Sequence, residues 1–241
     1  MDPINAARDF VLEGHPDAVA SILGGSTAQG RSTPTSDLDV VVLYPDGGAN
    51  YARTTRYRGQ IVEEFVHTPA SISFWYARER TGRCAILGDL CAQGIILTGA
   101  GDGPAESWQR DARRYMQLGP EPLTAEERDL RRYELSNSLD DLRGAVVRAE
   151  SFATSAEVFQ QSVELLLLEH GKWLGKGKWL VRRLEQLPAN DTATALRDWA
   201  ASPDHSAERL IHLAARVLDA SGGYLMDGFL RGSLLAPGAA S

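Results

Sequence analysis

The sequence predicts an α+β protein, in which a mixed β-sheet flanked by helices is followed by an all-helical bundle. Short apolar runs alternate with helical patterns as far as residue 119, as expected for a sheet covered by helices. After the proline-containing segment 119–124 the strand signal stops, and only helical patterns remain. We therefore expect a sheet domain over residues 1–119 and a helical domain over residues 120–241.

The composition is that of a globular protein with a buried core. The chain has 241 residues, of which 43% are hydrophobic, and its formal net charge is −7. Such a charge makes a long nucleic-acid backbone an unlikely partner and is compatible with a small cationic substrate. The sequence shows neither a membrane-length apolar run nor the apolar core of a signal peptide, so we expect a cytoplasmic protein without a membrane partner.

The first elements along the chain surround a glycine-rich turn. Helical spacing predicts an opening helix over residues 5–12, and an apolar run predicts a strand over residues 18–23. Two glycines break this strand, and Ser26 is expected to be the N-cap of a short helical turn. The free N–H groups at the start of such a turn would suit a phosphate group. A second strand is expected to begin at Asp37 and to continue to Leu43.

Asp37 and Asp39 lie two positions apart on this second strand. Because strand side chains alternate, both carboxylates are expected on one face, roughly 6–7 Å apart along the chain. Two like charges at that separation favour a bound cation, and carboxylate oxygens suit Mg²⁺ or Mn²⁺. The pattern therefore predicts a phosphate-binding turn beside a metal site, as a metal–nucleoside triphosphate complex requires.

The residues Gly25-Ser26 followed by Ser36-Asp37-Leu38-Asp39 resemble the signature of the DNA polymerase β-like nucleotidyltransferases. Within that superfamily the chain is similar to small bacterial antibiotic nucleotidyltransferases, including the aminoglycoside-modifying type that confers antibiotic resistance. The resemblance implies a nucleotidyltransferase domain over residues 1–119. It also implies that the helical domain over residues 120–241 binds the acceptor and closes the cleft.

The resemblance also implies a third metal-binding carboxylate on a neighbouring strand, which is expected over residues 60–67. Glu63 and Glu64 are both available, and alternation places them on opposite faces without choosing between them. The family's pattern of an apolar residue before the carboxylate matches Val62-Glu63, so Glu63 is the preferred candidate. His67, at the end of this strand, is expected to have a structural role.

The rest of the sheet domain is expected to contain a basic segment, a long helix, a short strand and a final helix. Residues 51–59 carry three arginines and read as a solvated surface segment or as a flap near the triphosphate. A helix is predicted over residues 71–93, with a possible interruption at Gly82 and six apolar members: Phe74, Trp75, Ile86, Leu87, Leu90 and Cys91. Cys84 and Cys91 would lie too far apart along that helix to bridge, so buried reduced thiols are expected. The strand and final helix are predicted over residues 94–98 and 104–118.

In the second domain the capping box formed by Thr124 and Glu127 predicts the start of the first helix. Helical patterns cover residues 125–149, 154–173, 177–187, 192–200, 206–220 and 224–230. The tail over residues 236–241 is expected to be frayed.

The segment 169–179 combines three lysines, three glycines and two tryptophans. Lys172 and Lys178 are candidates for binding a triphosphate. Some antibiotic nucleotidyltransferases have a Glu before Gly-Lys-Trp that acts as general base, which makes Glu169 one candidate and Glu164 an equal one. The alternative is a basic turn between helices with buried tryptophans. The pair Asp140–Asp141 would either hold an amino group of the acceptor or form a solvated helix face.

The resemblance implies transfer of a nucleoside monophosphate, AMP from ATP in the first instance, to a hydroxyl of a small acceptor. Asp37, Asp39 and Glu63 would bind two Mg²⁺ ions, with Mn²⁺ as a substitute. Gly25, Ser26, Ser36 and Arg31 would contact the phosphates of the nucleoside triphosphate.

Three alternatives to nucleotidyl transfer onto a small acceptor are a protein-modifying enzyme, a regulator without turnover and a tRNA-modifying enzyme. An antitoxin-type enzyme would adenylylate a partner protein, but the Arg and His spacing of its usual partner chain is absent here. A nucleotide-binding regulator would retain the fold without turnover. A tRNA-tailing enzyme is disfavoured by the acidic charge. The sequence leaves the oligomeric state open.

Overall fold

A computed structural model describes residues 2–101, 103–187 and 190–232. The chain divides into two compact units, Met1–Pro120 and Glu121–Ser241. The first unit contains a mixed sheet with flanking helices, and the described part of the second unit is helical. The predicted α+β class is therefore confirmed.

The sheet of the first unit has five strands in the order β3-β4-β2-β1-β5. β2 and β4 pair in parallel, whereas the other neighbouring strands are antiparallel. The parallel pair lies near the middle of the sheet, with β4 beside the edge strand β3. The strands are β1 (Ala20–Leu23), β2 (Leu38–Leu43), β3 (Tyr51–Tyr57), β4 (Gln60–His67) and β5 (Ile95–Thr98).

Two apolar cores cover the two faces of this sheet, and strand alternation assigns residues to them. On one face Val40 and Val62 pack with Phe10 of the first helix. On the other face Val41 packs with Leu90 of the fourth helix. The helices of this unit are α1 (Pro3–Gly14), α2 (Gly25–Ala28), α3 (Pro69–Gly82), α4 (Leu87–Gln93) and α5 (Pro104–Leu118).

The helix predicted over residues 71–93 is two helices, because α3 ends at Gly82 and the next residue, Arg83, takes a left-handed conformation with φ 58°. The predicted apolar members also divide. Leu87, Leu90 and Cys91 are buried in α4. Phe74, Trp75 and Ile86 are 56%, 40% and 58% exposed, so these three apolar residues lie outside the core.

The basic segment predicted as a solvated surface segment or a flap forms the largely exposed edge strand β3, which pairs along its whole length with β4. Exposed arginines on such a strand discourage pairing with a further strand. Cys84 was predicted within one long helix but lies in the break between α3 and α4. It is only half-buried, whereas Cys91 is buried, and neither cysteine forms a disulfide.

The second unit begins with α6, whose first turn carries the predicted capping box. The Thr124 hydroxyl accepts a hydrogen bond from the Glu127 N–H, and the Glu127 carboxylate accepts one from the Thr124 N–H. α6, α7 and α10 pack against one another. The helices are α6 (Ala125–Gly144), α7 (Arg148–Glu169), α8 (Lys178–Leu184), α9 (Asp191–Ala201) and α10 (Ala207–Ala220).

Four predictions for the second unit need correction or fall outside the described residues. The first predicted helix ends at Gly144, and the second already begins at Arg148. Residues 224–230 form turns and irregular backbone instead of the predicted helix, and Leu225 N–H donates to Ser136 Oγ at 3.0 Å. The predicted frayed tail, residues 236–241, lies outside the described residues. Within the described part of the chain, no helix is both long and apolar enough to cross a membrane.

Candidate active site

Asp37, Asp39 and Glu63 come together on one face of the sheet, and we call them the acidic triad. One carboxylate oxygen from each residue lies within 4.8 Å of the others, and all three side chains are half-buried. The register of the sheet explains this grouping. Asp39 on β2 is directly opposite Glu63 on the parallel strand β4, and Asp37 immediately precedes β2.

The charge of the acidic triad favours a cation. Two carboxylates 4.8 Å apart repel each other by about 3 kcal/mol at an effective dielectric constant of 20. Within the described ranges, the structure gives Asp37 and Glu63 no ion pair with lysine, arginine or histidine. Three hard oxygen ligands in one half-open site are the donor set that Mg²⁺ and Mn²⁺ prefer. The residues present therefore fit a divalent metal ion.

A glycine places the short helix α2 directly against the acidic triad. Gly25 has φ +64°, and a Cβ atom built on it would lie 1.8 Å from Asp39 Oδ2. Gly24 N–H also donates to the Asp39 carbonyl oxygen at 2.8 Å. Only glycine at position 25 leaves room for the Asp39 carboxylate, because any other residue would be both strained and in contact with it. The predicted N-cap is corrected: Gly24 is the N-cap of α2, and Ser26 is its second residue.

The turn presents hydroxyl and N–H groups beside the carboxylates. Ser26 Oγ donates to Ser36 Oγ at 3.2 Å, and Ser36 Oγ accepts from Thr33 N–H at 2.9 Å. Among the residues that the structure describes, the N–H groups of Gly25, Ser26 and Thr27 have no acceptor. Such a set of open donors suits an anion. Arg31 is exposed, and its N–H closes the turn by donating to the Ser26 carbonyl oxygen at 2.9 Å.

Residues 4–86, which include the acidic triad and the turn, match the family model described as a nucleotidyltransferase domain. The N-terminal unit carries a nucleotidyltransferase domain. This match confirms the predicted resemblance to the polymerase β-like nucleotidyltransferases.

Among solved structures, the chain is similar to a nucleotidyltransferase-like protein from Exiguobacterium sibiricum 255-15. The two sequences are 16% identical, the TM-score is 0.42, and the match covers 90% of this chain and 73% of that chain. No curated protein matched the sequence.

The nucleotidyltransferase domain uses the two adjacent glutamates differently. Glu64 lies on the opposite face of the sheet from the acidic triad and is fully buried. Its carboxylate pairs with Arg53 Nε and forms a 2.8 Å hydrogen bond with His15 Nε2. Tyr51 Oη donates a further hydrogen bond at 3.4 Å. The structure therefore brings Glu63, the preferred of the two candidates, to the Asp37–Asp39 pair. Its metal-binding role stays a prediction.

His67, at the end of β4, is buried and forms a 3.1 Å hydrogen bond from Nδ1 to Ser71 Oγ. Burial lowers the pKa of His67 to about 4. The imidazole is therefore neutral near pH 7 and has the kind of structural contact that was predicted for it.

The remaining predicted residues belong to the second unit. Lys172 is half-buried just after α7, and Lys178 is the exposed first residue of α8. Both candidate bases form ion pairs, Glu164 with Arg131 at 3.2 Å and Glu169 with Arg128 at 2.6 Å. Their functional roles stay predictions.

The tryptophans and aspartates named with these residues also have defined surroundings. Trp173 is buried, as the alternative reading of segment 169–179 expects, and Trp179 is half-buried. Asp140 and Asp141 are both exposed on α6, and Asp140 pairs with Arg143 at 3.0 Å.

Gly24 has a separate role that was not predicted. A Cβ atom at this position would lie 2.6 Å from Leu90 Cδ2, so the turn packs directly on α4. Two consecutive glycines were the available signal, because each removes a side chain where the backbone meets a neighbour: Leu90 at Gly24 and Asp39 at Gly25.

Proposed function

We propose that the protein transfers a nucleoside monophosphate, AMP from ATP in the first instance, to a hydroxyl group of a small acceptor. The reaction would depend on a divalent metal ion and would release pyrophosphate. The observation that carries this proposal is the acidic triad, which lies against the Gly25 turn within a nucleotidyltransferase domain. A cytoplasmic location belongs to the same proposal.

In the proposed reaction, the acceptor oxygen forms a bond to the α-phosphorus of the triphosphate. The bond from the α-phosphorus to the bridging oxygen breaks, pyrophosphate leaves with the electron pair, and the hydroxyl proton passes to solvent or a base. Asp37, Asp39 and Glu63 would hold Mg²⁺, with Mn²⁺ as a substitute. The bound metal would supply a lowered hydroxyl pKa and neutralisation of the developing negative charge.

The turn would hold the rest of the triphosphate. Ser26 and Ser36 hydroxyls, together with the open N–H groups of α2, are proposed to contact the β- and γ-phosphates. Gly25 keeps the Asp39 carboxylate against this turn, so that the phosphate and metal sites adjoin. Arg31, Lys172 and Lys178 are proposed as further cationic contacts to the triphosphate.

The test is pyrophosphate release from ATP with Mg²⁺ and a panel of hydroxyl-bearing acceptors. Asp39→Asn keeps the shape of the side chain and removes its charge, and we expect it to lower turnover by about 10³-fold or more. Asp46→Asn is the matched control. Asp46 is exposed in the loop beyond the other end of β2, and we expect its substitution to leave turnover unchanged.

Turnover of folded Asp39→Asn within about tenfold of wild type would contradict the metal-site assignment. ATP binding by the wild type without pyrophosphate release from any acceptor would favour a nucleotide-binding regulator. Labelling of a copurifying protein by radioactive ATP would favour the protein-adenylylating alternative.

A further inference from the structure

A cavity of about 460 Å³ lies within the first unit, between the β3–β4 edge of the sheet and helices α3 and α4. Its size is within the range of small-molecule sites. The function proposed above assigns no role to this cavity. Its lining includes Ala52, Phe65, Trp75, Arg78, Leu87 and Leu90.

The cavity opens on the same sheet face as the acidic triad. Phe65 follows Glu63 by two residues on β4, so both side chains point to the same face about 7 Å apart along the strand. Leu90, on the other wall, lies against Gly24 at the start of the phosphate-binding turn. A molecule that contacts Phe65 in this cavity would therefore lie next to Glu63 along the same face of β4.

The floor of the cavity offers no open carboxylate to a cation. Phe65, Leu87 and Leu90 supply apolar surface. The one acidic residue among its described lining residues is Glu79, whose carboxylate accepts hydrogen bonds from the backbone N–H groups of Ile86 at 2.7 Å and Gly88 at 3.2 Å.

The His67 and Glu79 side chains of the floor are both engaged by neighbouring residues. His67 Nδ1 forms a 3.1 Å hydrogen bond with Ser71 Oγ, and Tyr115 Oη donates to the Glu79 carboxylate at 3.3 Å. Burial also raises the pKa of Glu79. The neutral His67 imidazole adds no charge near pH 7. The floor therefore favours an uncharged, apolar part of a ligand.

Among the described lining residues, the rim of the cavity carries the Trp75 ring and one cation, Arg78. The Arg78 guanidinium lies 5.4 Å from the centre of the Trp75 ring and 5.8 Å from the centre of the Phe74 ring. In the part of the chain that the structure describes, Arg78 has no carboxylate partner. Exposed aromatic rings beside an uncompensated guanidinium suit a planar group with a neutral or negatively charged substituent.

We infer that this cavity binds the acceptor, and that the acceptor is a planar apolar molecule with a hydroxyl group and a neutral or anionic substituent. The inference rests on the proposed nucleotidyl transfer. It differs from the cationic acceptor that the net charge of the chain suggests, because the charge near the cavity rim is positive. The hydroxyl group would point toward Glu63, and the planar body would lie between Phe65 and Leu90.

The experiment uses 2-naphthol-6-sulfonate, a fluorescent planar hydroxyl compound with one negative charge, as the probe. Its binding to the full chain is measured by fluorescence titration, and pyrophosphate release is measured with the probe, with uncharged 2-naphthol and with an aminoglycoside. Ala52→Phe fills the cavity from the exposed edge strand, where a large side chain is tolerated. Arg78→Gln removes the cation of the rim and retains a side chain of similar length.

Two control variants separate this cavity from other surfaces. Arg110→Gln removes an exposed arginine from α5, outside the cavity lining. Phe152→Ala alters a larger cavity of about 930 Å³ in the helical unit, which an aromatic probe would also find attractive. Thermal unfolding of each variant verifies that it is folded.

We expect saturable binding of one probe per chain. Ala52→Phe should weaken it by about tenfold or more, and Arg78→Gln by about fivefold, whereas both controls should leave it unchanged. Equal binding by wild type, Ala52→Phe and Arg78→Gln would overturn the inference. So would a loss confined to Phe152→Ala, or pyrophosphate release supported by the aminoglycoside alone.

Asp39→Asn distinguishes failure of this inference from failure of the proposed function. It should retain probe binding while losing pyrophosphate release. A wild-type protein that binds the probe in this cavity but never releases pyrophosphate would contradict the proposed function. A protein that turns over ATP with other acceptors and ignores the probe would contradict the acceptor class.

Discussion

Glu63 and Glu64 are neighbours in sequence and identical in chemistry, yet β4 places them in opposite environments. Glu63 is half-buried and lies with two aspartates, so negative charge accumulates on its face of the sheet. Glu64 is fully buried and contacts a guanidinium, an imidazole and a phenol on the other face. Among the described residues, Glu63 has no positively charged partner for its carboxylate, whereas Glu64 pairs with Arg53.

This difference shows how a protein separates a binding group from a structural one. A buried carboxylate is tolerated when hydrogen bonds and opposite charge replace its lost hydration. A cluster of like charges is tolerated when the site remains accessible to an external cation. The two faces of β4 therefore make different predictions for the same chemical substitution.

The largest expected effect concerns turnover. Glu63→Gln should lower pyrophosphate release by about 10³-fold, because it removes one proposed metal ligand without changing the shape of the side chain. Glu64→Gln, measured under the same conditions, should stay within about tenfold of wild type when the protein is folded. Similar losses in the two folded variants would remove the functional distinction between the two faces.

Stability should respond in the reverse order. Glu64→Ala removes the buried partner of Arg53 and His15 and should lower the free energy of unfolding by about 3 kcal/mol. Glu63→Ala should change it by less than about 1 kcal/mol, because lost packing is offset by relief of repulsion within the acidic triad. Urea unfolding followed by circular dichroism measures both values. A smaller loss for Glu64→Ala than for Glu63→Ala would contradict the structural role of Glu64.

A smaller effect is expected where the turn meets the triad. Gly25→Ala should lower stability by about 2 kcal/mol and turnover by about tenfold or more, because the added Cβ displaces the Asp39 carboxylate. Gly30→Ala is the matched control. Gly30 has nearly the same φ, +66°, but a Cβ there would meet nothing within 4 Å.

The comparison of these two glycines separates backbone strain from contact with the carboxylate. Gly30→Ala should show a modest loss of stability, about 1 kcal/mol, and normal turnover. Equal turnover losses in the two variants would mean that the contact with Asp39 is unimportant.

The smallest expected effect is a pH dependence of stability that comes from His67, at the end of β4. Burial lowers the pKa of His67 to about 4, below its value near 6.5 in the unfolded chain. Above about pH 6.5 the His67 imidazole is neutral in both the folded and the unfolded chain, and its stability contribution is fully present. Between about 6.5 and 4 the unfolded state binds the extra proton, so stability falls by at most about 1.4 kcal/mol per pH unit.

His67→Asn should remove this slope from a series of unfolding titrations between pH 4 and 7. His212→Asn is the control, because His212 is exposed on α10. An unchanged slope in His67→Asn would show that His67 is not the group responsible.

The sequence was sufficient for the parts of the fold that depend on local pattern. The alternation of Asp37 and Asp39 before an apolar strand predicted that both carboxylates share a face, and the structure places them together. The capping box at Thr124 marked the start of α6 correctly. In both cases the signal lies within a few residues, so local physics is enough.

The choice between Glu63 and Glu64 required tertiary information. Both faces of β4 carry apolar residues, and only the packing of α1 against one face and α4 against the other distinguishes them. Val62 and Val66 belong to the core that α1 covers, so Glu64 lies between them on that face, beside His15. Alternation along β4 does not contain that information, and only the resemblance, through Val62-Glu63, favoured Glu63.

The missed elements also have physical reasons. Residues 51–59 were predicted only as a solvated surface segment or a flap, because their arginines hide the strand pattern, although charged residues are ordinary on an edge strand. Phe74 and Trp75 were predicted as apolar members of one helix, and both lie on α3 but are exposed near the cavity rim. The helix expected over 224–230 is replaced by turns, in which Gly228 has φ +80°.

The central claim is that Glu63, and not Glu64, completes a divalent metal site with Asp37 and Asp39. The most direct measurement is a titration of Mn²⁺, with free Mn²⁺ followed by electron paramagnetic resonance, in the presence of an ATP analogue with a methylene between its α- and β-phosphates. Glu63→Gln should bind Mn²⁺ at least about tenfold more weakly than wild type, and folded Glu64→Gln should bind it normally. Equal affinity in wild type and Glu63→Gln, or a loss confined to Glu64→Gln, would contradict the account.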